Sequence, residues 1–149
     1  MIRVRQAGPE DAETIIAFQM AMAKEVEQID LDRATLAAGV RAGLADPSLG
    51  PYWLAEIDGA VVGCLQTTPE WSDWRNGTVW WIQSVYVRPD RRGRGVFRGL
   101  FAHVRARVEA DDAARGLRLY VDTRNTRARR LYEKLGLDGD HYRMYEWLK

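Results

Sequence analysis

The sequence predicts an α/β protein, an α+β mixed sheet packed against helices, with elements in the order β-α-α-β-β-β-α-β-α-β. Two observations lead to this prediction. Apolar residues alternate with polar ones in some segments, which is typical of strands, and recur at three- and four-residue spacing in others, which is typical of helices. Turn residues separate these segments. Strands interleaved with helices in this way favour a sheet that is covered by helices.

The first third of the chain predicts one strand and two helices. Ile2 and Val4 alternate with polar residues, as in a strand. A Gly-Pro-Glu-Asp run from Gly8 then places proline near the first helical position and acids in the first turn, which favours a helix start. Asp32 can cap a second helix, which ends at Asp46 before a proline.

Three strands follow in the middle of the chain. We expect strands over Tyr52–Ile57 and Ala60–Thr68, because the Asp58-Gly59 pair between them is a strong hairpin signal. Residues 69–77 form a polar segment with two tryptophans, which we interpret as a loop. The apolar run Thr78–Arg88 predicts a long strand.

The last third predicts two helices and two strands. Phe97 to Val108 carries apolar residues at helical spacing, and Leu117–Thr123 has the composition of a strand. Asn125 can cap the next helix and Gly136 can end it in the left-handed conformation. The alternation from His141 to Trp147 predicts a final strand.

Composition limits the classes of function. The chain has 149 residues, which suits a single domain over residues 1–149, and its net charge of +1 favours neither nucleic acid nor membrane as a partner. Its one cysteine, Cys64, excludes an internal disulfide and a cysteine zinc cluster, and we expect no metal site. The N-terminal segment lacks the apolar core of a signal peptide, so we expect a cytoplasmic protein.

The stretch from Val85 to His103 has the most specific pattern. It predicts a strand end, a basic loop spaced by Gly93 and Gly95, and the start of a helix. Uncapped N–H groups and the positive end of a helix dipole favour an anion such as phosphate, although glycine and arginine also form ordinary turns. Gly99 gives G-x-G-x-x-x-G, which is not the dinucleotide fingerprint, and no G-K-[ST] triplet indicates a P-loop.

A second segment from Asn125 to Leu137 has the pattern N-x-x-A-x-x-L-Y-x-K-x-G-L. Together with the R-G-x-G loop from Arg92 to Gly95, it resembles the two cofactor motifs of the GCN5-related N-acetyltransferase (GNAT) superfamily. The order of elements over the remainder of the chain is also similar to that fold. The resemblance implies a sheet whose two central strands splay apart to admit acetyl-CoA, and direct transfer of an acetyl group to an amine.

The resemblance also implies roles for particular residues. Backbone amides near Val85 would pair with the pantetheine arm, those of the loop would hold the pyrophosphate, and Asn125 would bind the arm from its other side. Tyr132 would protonate the leaving thiolate, or it is simply a core aromatic residue. The cofactor-binding residues implied are Val85, Tyr86, Val87, Arg92, Gly93, Arg94, Gly95, Val96 and Asn125.

Two residues depart from the family pattern, and the general base remains open. Asp90 stands where Gln or Arg is usual, and Phe97 stands where a small residue is usual. The strand before the loop holds Gln83, which cannot abstract a proton but could hold a water that does. Glu70 and Asp73 are further candidates for the base, and a free amine can also lose its proton to water.

The acceptor is a small-molecule or peptide amine in this interpretation. Trp71 and Trp74 could wall its site by cation–π contact, or they belong to surface packing or to a homodimer contact. Four acids between the first two helices either form a solvated loop, which we favour, or attract a cationic amine. These acids are Glu25, Glu27, Asp30 and Asp32.

Two other functions fit parts of the sequence. One is a non-catalytic acyl-CoA-binding sensor, which would retain Asn125 and the loop without depending on Tyr132. The other is a nucleic-acid-binding module that uses the basic runs around the loop and before Leu131. No RNA-binding aromatic motif accompanies those runs, and a phosphate-bearing cofactor accounts for the same charges locally.

Overall fold

A computed structural model describes residues 1–149 as a five-stranded sheet with four helices. The chain forms two compact units, Met1–Leu119 and Tyr120–Lys149. The strands are β1 (Arg3–Gln6), β2 (Tyr52–Ile57), β3 (Ala60–Ser72), β4 (Gly77–Val87) and β5 (Ala114–Leu119). The helices are α1 (Ala12–Glu27), α2 (Arg33–Ala45), α3 (Val96–Ala110) and α4 (Thr126–Lys134).

The first unit contains the whole sheet, with its strands in sequence order. β1 to β4 pair antiparallel, whereas β4 and β5 pair parallel. A parallel pair needs a crossover connection, and α3 supplies it. The predicted mixed sheet with helices packed on it is therefore confirmed.

Helices cover both faces of the sheet. On one face, α1 and α2 pack onto Leu54 and Cys64, which are fully buried. On the other face, α3 buries Leu100 and approaches Gly63 so closely that a Cβ there would lie 2.9 Å from a methyl group of Val96. Because neighbouring strand residues point to opposite faces, the strands between the helical layers are almost wholly apolar.

Local signals predicted several elements correctly. Asp32 caps α2 by accepting a hydrogen bond from the Thr35 N–H at 2.9 Å. Asp58 and Gly59 both have positive φ, at 51° and 77°, as a tight hairpin turn requires. In these places the residue's own conformational preference determines the structure.

The hairpin between β3 and β4 is longer than predicted. β3 continues to Ser72 and β4 begins at Gly77, so only residues 73–76 form the turn. Trp71 therefore lies on a strand and not in a loop. The bounds of the strand predicted over Leu117–Thr123 also differ, because β5 spans Ala114–Leu119. Pairing with a neighbouring strand extends these segments beyond their apolar residues.

The second unit consists of α4 and its flanking segments. Asn125 caps α4 through its side-chain oxygen, which accepts from the Ala128 N–H at 3.1 Å, and Gly136 follows with a φ of 87°. Both match the prediction. The predicted final strand over 141–147 is wrong, because these residues join no strand ladder and side chains such as Tyr142 and Tyr145 are exposed. Alternation alone does not make a strand without a partner edge.

No helix combines the length and the apolar composition that crossing a bilayer requires.

Candidate functional site

An irregularity in β4 shapes the middle of the sheet. Gln66 pairs with Ser84, but the next residue of β3, Thr67, pairs with Ile82, so Gln83 is an extra residue in β4. An extra residue of this kind is a β-bulge, which bends its strand and increases the local twist. The bulge therefore turns the second half of β4 away from the line of the first.

Pairing between β4 and β5 stops at the same place. Ile82 opposite Leu119 is the last pair, whereas β4 continues to Val87 against β3 alone. The segment with Val85, Tyr86 and Val87 therefore has no strand partner on its β5 side. The backbone N–H and C=O groups on that edge can hydrogen-bond to an extended, amide-bearing ligand.

The loop after β4 leads directly into α3. Gly93 and Gly95 adopt left-handed conformations with φ of 74° and 82°, and no atom lies within 4 Å of where either Cβ would be. The glycines are therefore needed for backbone conformation, and the space above them is open. Gly95 precedes α3 without a side-chain cap, so the first-turn N–H groups from Val96 onward remain available to an anion.

Arg92 in this loop is held by the protein itself. Its guanidinium forms two hydrogen bonds with the Glu25 carboxylate, and the Nη2–Oε2 distance is 2.8 Å. Its Nε donates to the Val87 carbonyl at 2.9 Å, and it lies 5.8 Å from the Tyr86 ring centroid. The hydrogen-bonded guanidinium lowers the pKa of Glu25. Arg92 thus ties the loop to β4 and to the end of α1.

The remaining arginines of the loop differ in their partners. Asp90 accepts hydrogen bonds from Arg88 at 3.1 Å and lies 3.3 Å from Arg91 Nε. Arg94 forms no hydrogen bond or ion pair and is exposed. The family departure at Asp90 therefore neutralises its neighbours, and Arg94 is the loop cation available to a ligand.

Phe97, the second departure from the family pattern, is half-buried on α3. Its ring packs against Phe101 with centroids 6.0 Å apart. A residue that packs on the next turn of its own helix leaves the backbone N–H groups of the first turn in place. The substitution is therefore compatible with an anion at the helix N-terminus.

The candidate bases near the bulge, Gln83 and Glu70, are hydrogen-bonded to other side chains. Gln83 donates its side-chain amide to Thr68 Oγ1 at 2.8 Å. Glu70 accepts hydrogen bonds from Trp81 Nε1 and, at 3.1 Å, from Arg118. Asp73 is exposed in the hairpin turn. Both carboxylate oxygens of Glu70 therefore accept hydrogen bonds, and the side-chain carbonyl oxygen of Gln83 is still able to accept one.

Asn125 and Tyr132 lie on the second unit, at the cap of α4 and about two turns later. The Asn125 side-chain oxygen is used in capping, which leaves its amide nitrogen as a donor. Tyr132 is half-buried, and burial raises the pKa of its phenol. The phenol is therefore protonated at neutral pH, as a proton donor must be.

The acceptor candidates of the hairpin are strongly exposed, with Trp71 at 65% and Trp74 at 91%. Of the acids between α1 and α2, Glu25 pairs with Arg92, Asp30 pairs with Lys24 and Asp32 caps α2. All four acids are exposed, as the solvated-loop interpretation expects, and three of them also have partners within the protein.

Sequence reasoning missed two features of the site, the bulge at Gln83 and the Glu25–Arg92 pair. A polar residue inside an apolar strand is a weak signal for the bulge. No local signal indicates the ion pair, because its partners are 67 residues apart.

The site combines an open strand edge of β4 with the uncapped N-terminus of α3. Residues 13–137 match the family model described as the acetyltransferase (GNAT) family. The chain therefore belongs to this family and is an N-acetyltransferase with an acyl-CoA as co-substrate. No curated protein sequence matches it significantly.

Solved structures agree with this assignment. The chain is similar to a possible acetyltransferase from Clostridium difficile 630, with 40% identity, a TM-score of 0.93, and coverage of 100% of this chain and 98% of that one. It is also similar to the ribosomal-protein-alanine N-acetyltransferase from Brucella melitensis biovar Abortus 2308, with 17% identity, a TM-score of 0.78, and coverage of 99% and 100%.

A third similar structure is the aminoglycoside N-acetyltransferase AAC(6')-Iy in complex with a bisubstrate analogue, CoA-S-monomethyl-acetylneamine. It has 18% identity, a TM-score of 0.80, and coverage of 100% of this chain and 99% of that one. At this identity the likeness extends to the fold alone.

Proposed function

We propose that residues 1–149 act as one domain that transfers an acetyl group from acetyl-CoA directly to an amine of a small molecule or a peptide. The observation that carries this proposal is the open edge of β4 beside the uncapped N-terminus of α3. The β4 edge can hold an amide-bearing arm and the α3 N-terminus can hold a phosphate, and acetyl-CoA has both of these groups.

Each part of the co-substrate has residues that fit it. Backbone groups of Val85, Tyr86 and Val87 bind the pantetheine arm, and the Asn125 amide nitrogen donates to it. The backbone N–H groups of Arg92, Gly93, Arg94, Gly95 and Val96 hold the pyrophosphate. The open space above the two glycines and the unpaired Arg94 support this assignment.

Acetyl-CoA supplies the acetyl group as a thioester. The amine nitrogen forms a bond to the carbonyl carbon, and the carbon–sulfur bond breaks. N–H groups on the β4 edge beyond the bulge stabilise negative charge on the carbonyl oxygen. The phenol of Tyr132 gives its proton to the leaving sulfur, and a water held by the Gln83 carbonyl oxygen takes the amine proton.

The state of Cys64 supports direct transfer. Burial raises the pKa of its thiol to about 12, and it lies in the core between α1, α2 and the sheet. A thiol is a nucleophile as its thiolate, which is scarce at neutral pH under these conditions. An acyl-cysteine route through Cys64 is therefore disfavoured.

The acceptor class rests on the hairpin and on the fold relatives. Trp71 and Trp74 expose rings that suit a cationic amine through cation–π contact. The acids of the α1–α2 segment contribute less, since most of them are paired. Among similar structures, one carries an aminoglycoside-derived analogue and another acts on a ribosomal protein, so both small amines and peptides belong in the substrate panel.

The test measures thiol release from acetyl-CoA across a panel of aminoglycosides, polyamines and N-terminal peptides. Tyr132→Phe is compared with Tyr145→Phe, a control on an exposed tyrosine of the same unit. We expect Tyr132→Phe to lower kcat by about 10²-fold with an unchanged Kd for acetyl-CoA. Acetyl-CoA binding without turnover on any amine would favour the sensor, and absence of binding would refute the proposal.

A further inference from the structure

A cleft with a volume of 510 Å³ opens between the C-terminal half of α3 and the sheet. Its walls include Trp53, Thr67, Trp80, His103 and Arg107. The first α3 residue in this set lies eight positions after Gly95, which is about 12 Å along the helix axis. The cleft is therefore separate from the loop at the N-terminus of α3.

An aromatic layer forms the floor of this α3 cleft. Trp53 is only 6% exposed, and its indole N–H is already satisfied by Thr67 Oγ1 at 3.1 Å. Its ring lies against His103, with centroids 5.1 Å apart, and Trp80 is half-buried on β4, with β3 between the two tryptophans. The floor therefore offers flat aromatic surface.

Two polar groups at the edge of this floor form no hydrogen bond. His103 Nε2 is buried and forms no hydrogen bond. The Arg107 guanidinium lies 4.8 Å from the Trp53 ring centroid and forms no hydrogen bond or ion pair. The nearby Asp111 carboxylate accepts from the Ala113 N–H at 2.9 Å in the turn after α3. A guanidinium fork that lies on an aromatic ring and forms no hydrogen bond is suited to an acceptor with two oxygens.

We propose that the α3 cleft binds a small carboxylate with a flat aromatic body, at a site distinct from that of acetyl transfer. The carboxylate would pair with the Arg107 fork in the two-bond geometry that guanidinium favours. The aromatic body would lie against Trp80 and the apolar side chains of α3. The cleft volume lies within the range usual for small-molecule sites.

The experiment is calorimetric titration of the full chain with 1-naphthoate, and with 1-naphthalenemethanol as its uncharged match. We expect the acid to bind at least about tenfold more tightly than the alcohol. Because this pair is measured on the unaltered protein, its outcome does not depend on how a variant folds. Equal affinity for acid and alcohol, or no binding of the acid at millimolar concentration, would overturn the proposal.

Variants locate the site. Arg107→Met should weaken naphthoate binding by about tenfold, whereas Arg105→Met, which removes an exposed arginine of the same helix, should leave it unchanged. In NMR spectra of the unaltered protein, naphthoate should shift the indole N–H signals of Trp53 and Trp80. Saturation with acetyl-CoA should not displace it. Displacement by acetyl-CoA, or an unchanged affinity in Arg107→Met, would place the ligand elsewhere and refute the assignment.

Discussion

The two halves of β4 perform different tasks. From Thr78 to Ile82 the strand is paired on both sides, and Val79 and Ile82 are buried. From Gln83 to Val87 it is paired only with β3, and none of its side chains is fully buried. The first half therefore holds the sheet together, and the second half leaves backbone groups for a ligand.

One extra residue separates these halves. The bulge at Gln83 coincides with the end of the β4–β5 ladder, and beyond this point the central strand becomes an edge. An exposed edge is normally a liability because it invites pairing with other chains. Here the edge is short and lies beside the loop, which restricts what can pair with it.

The sharpest difference in stability should appear between Ile82→Ala and Val85→Ala. Ile82 is 4% exposed, and we expect its truncation to cost about 3 kcal/mol of unfolding free energy through lost burial and a cavity. Val85 is half-buried, and we expect about 1 kcal/mol. Urea unfolding measures both. Equal costs would mean that the open half of β4 contributes as much to the core as the paired half.

Deleting Gln83 should abolish the difference between the halves. Without the extra residue the β3–β4 ladder becomes regular, and β4 loses the bend that the bulge introduces. We expect cooperative unfolding to persist while acetyl transfer falls by about 10²-fold, because misplacement of reacting groups by about 1 Å has an effect of this size.

The control for this deletion is Gln83→Ala, which retains the bulge and removes only the side chain. It should lose less activity than the deletion, because it retains the strand geometry and a free amine can also give its proton to bulk water. If the two variants are equally impaired, the side chain matters and the strand geometry does not.

The loop arginines should differ in role, with Arg94 binding the ligand and Arg92 serving the structure. Arg94→Gln removes the unpaired cation, and we expect the Kd for acetyl-CoA to rise by about tenfold with little change in melting temperature. Arg98→Gln, on the exposed face of α3, is the matched control. The effect of Arg94→Gln should shrink at high salt, since an exposed charge is screened. An effect that does not depend on salt would argue against a phosphate contact.

Glu25→Gln should have the smallest effect. Glu25 and Arg92 are 43% and 37% exposed, so screening by solvent limits their pair to less than about 1 kcal/mol. Arg92 lowers the pKa of Glu25 from 4.5, so the stabilisation is present at neutral pH and disappears as pH falls below that value. The unfolding free energies of the unaltered protein and of Glu25→Gln, compared at pH 7 and pH 3, measure this effect. A difference in unfolding free energy that persists at pH 3 would mean that the charge of Glu25 is not its source.

Local chemistry accounts for what the sequence predicted correctly. The caps at Asp32 and Asn125, the Asp58-Gly59 turn and the left-handed Gly136 each depend on residues within a few positions. The glycine loop and its continuation into α3 were predictable for the same reason. These features account for most of the helices, the hairpin and the glycine-loop end of the candidate site.

Pairing over long distances accounts for what could not be predicted. The bulge arises from the register between β3 and β4, and the Glu25–Arg92 pair joins residues far apart in the chain. The alternating segment 141–147 has the composition of a strand but no partner, which composition cannot reveal. The extension of β3 to Ser72 likewise depends on its neighbour.

The burial of Cys64 also makes the folded protein unreactive toward thiol reagents. It is the chain's one cysteine, it is 1% exposed, and its pKa is raised to about 12. Colorimetric detection of released CoA therefore carries almost no background from native enzyme. The rate at which an alkylating reagent labels this single sulfur reports how often the core opens, so the labelling rate measures unfolding around Cys64.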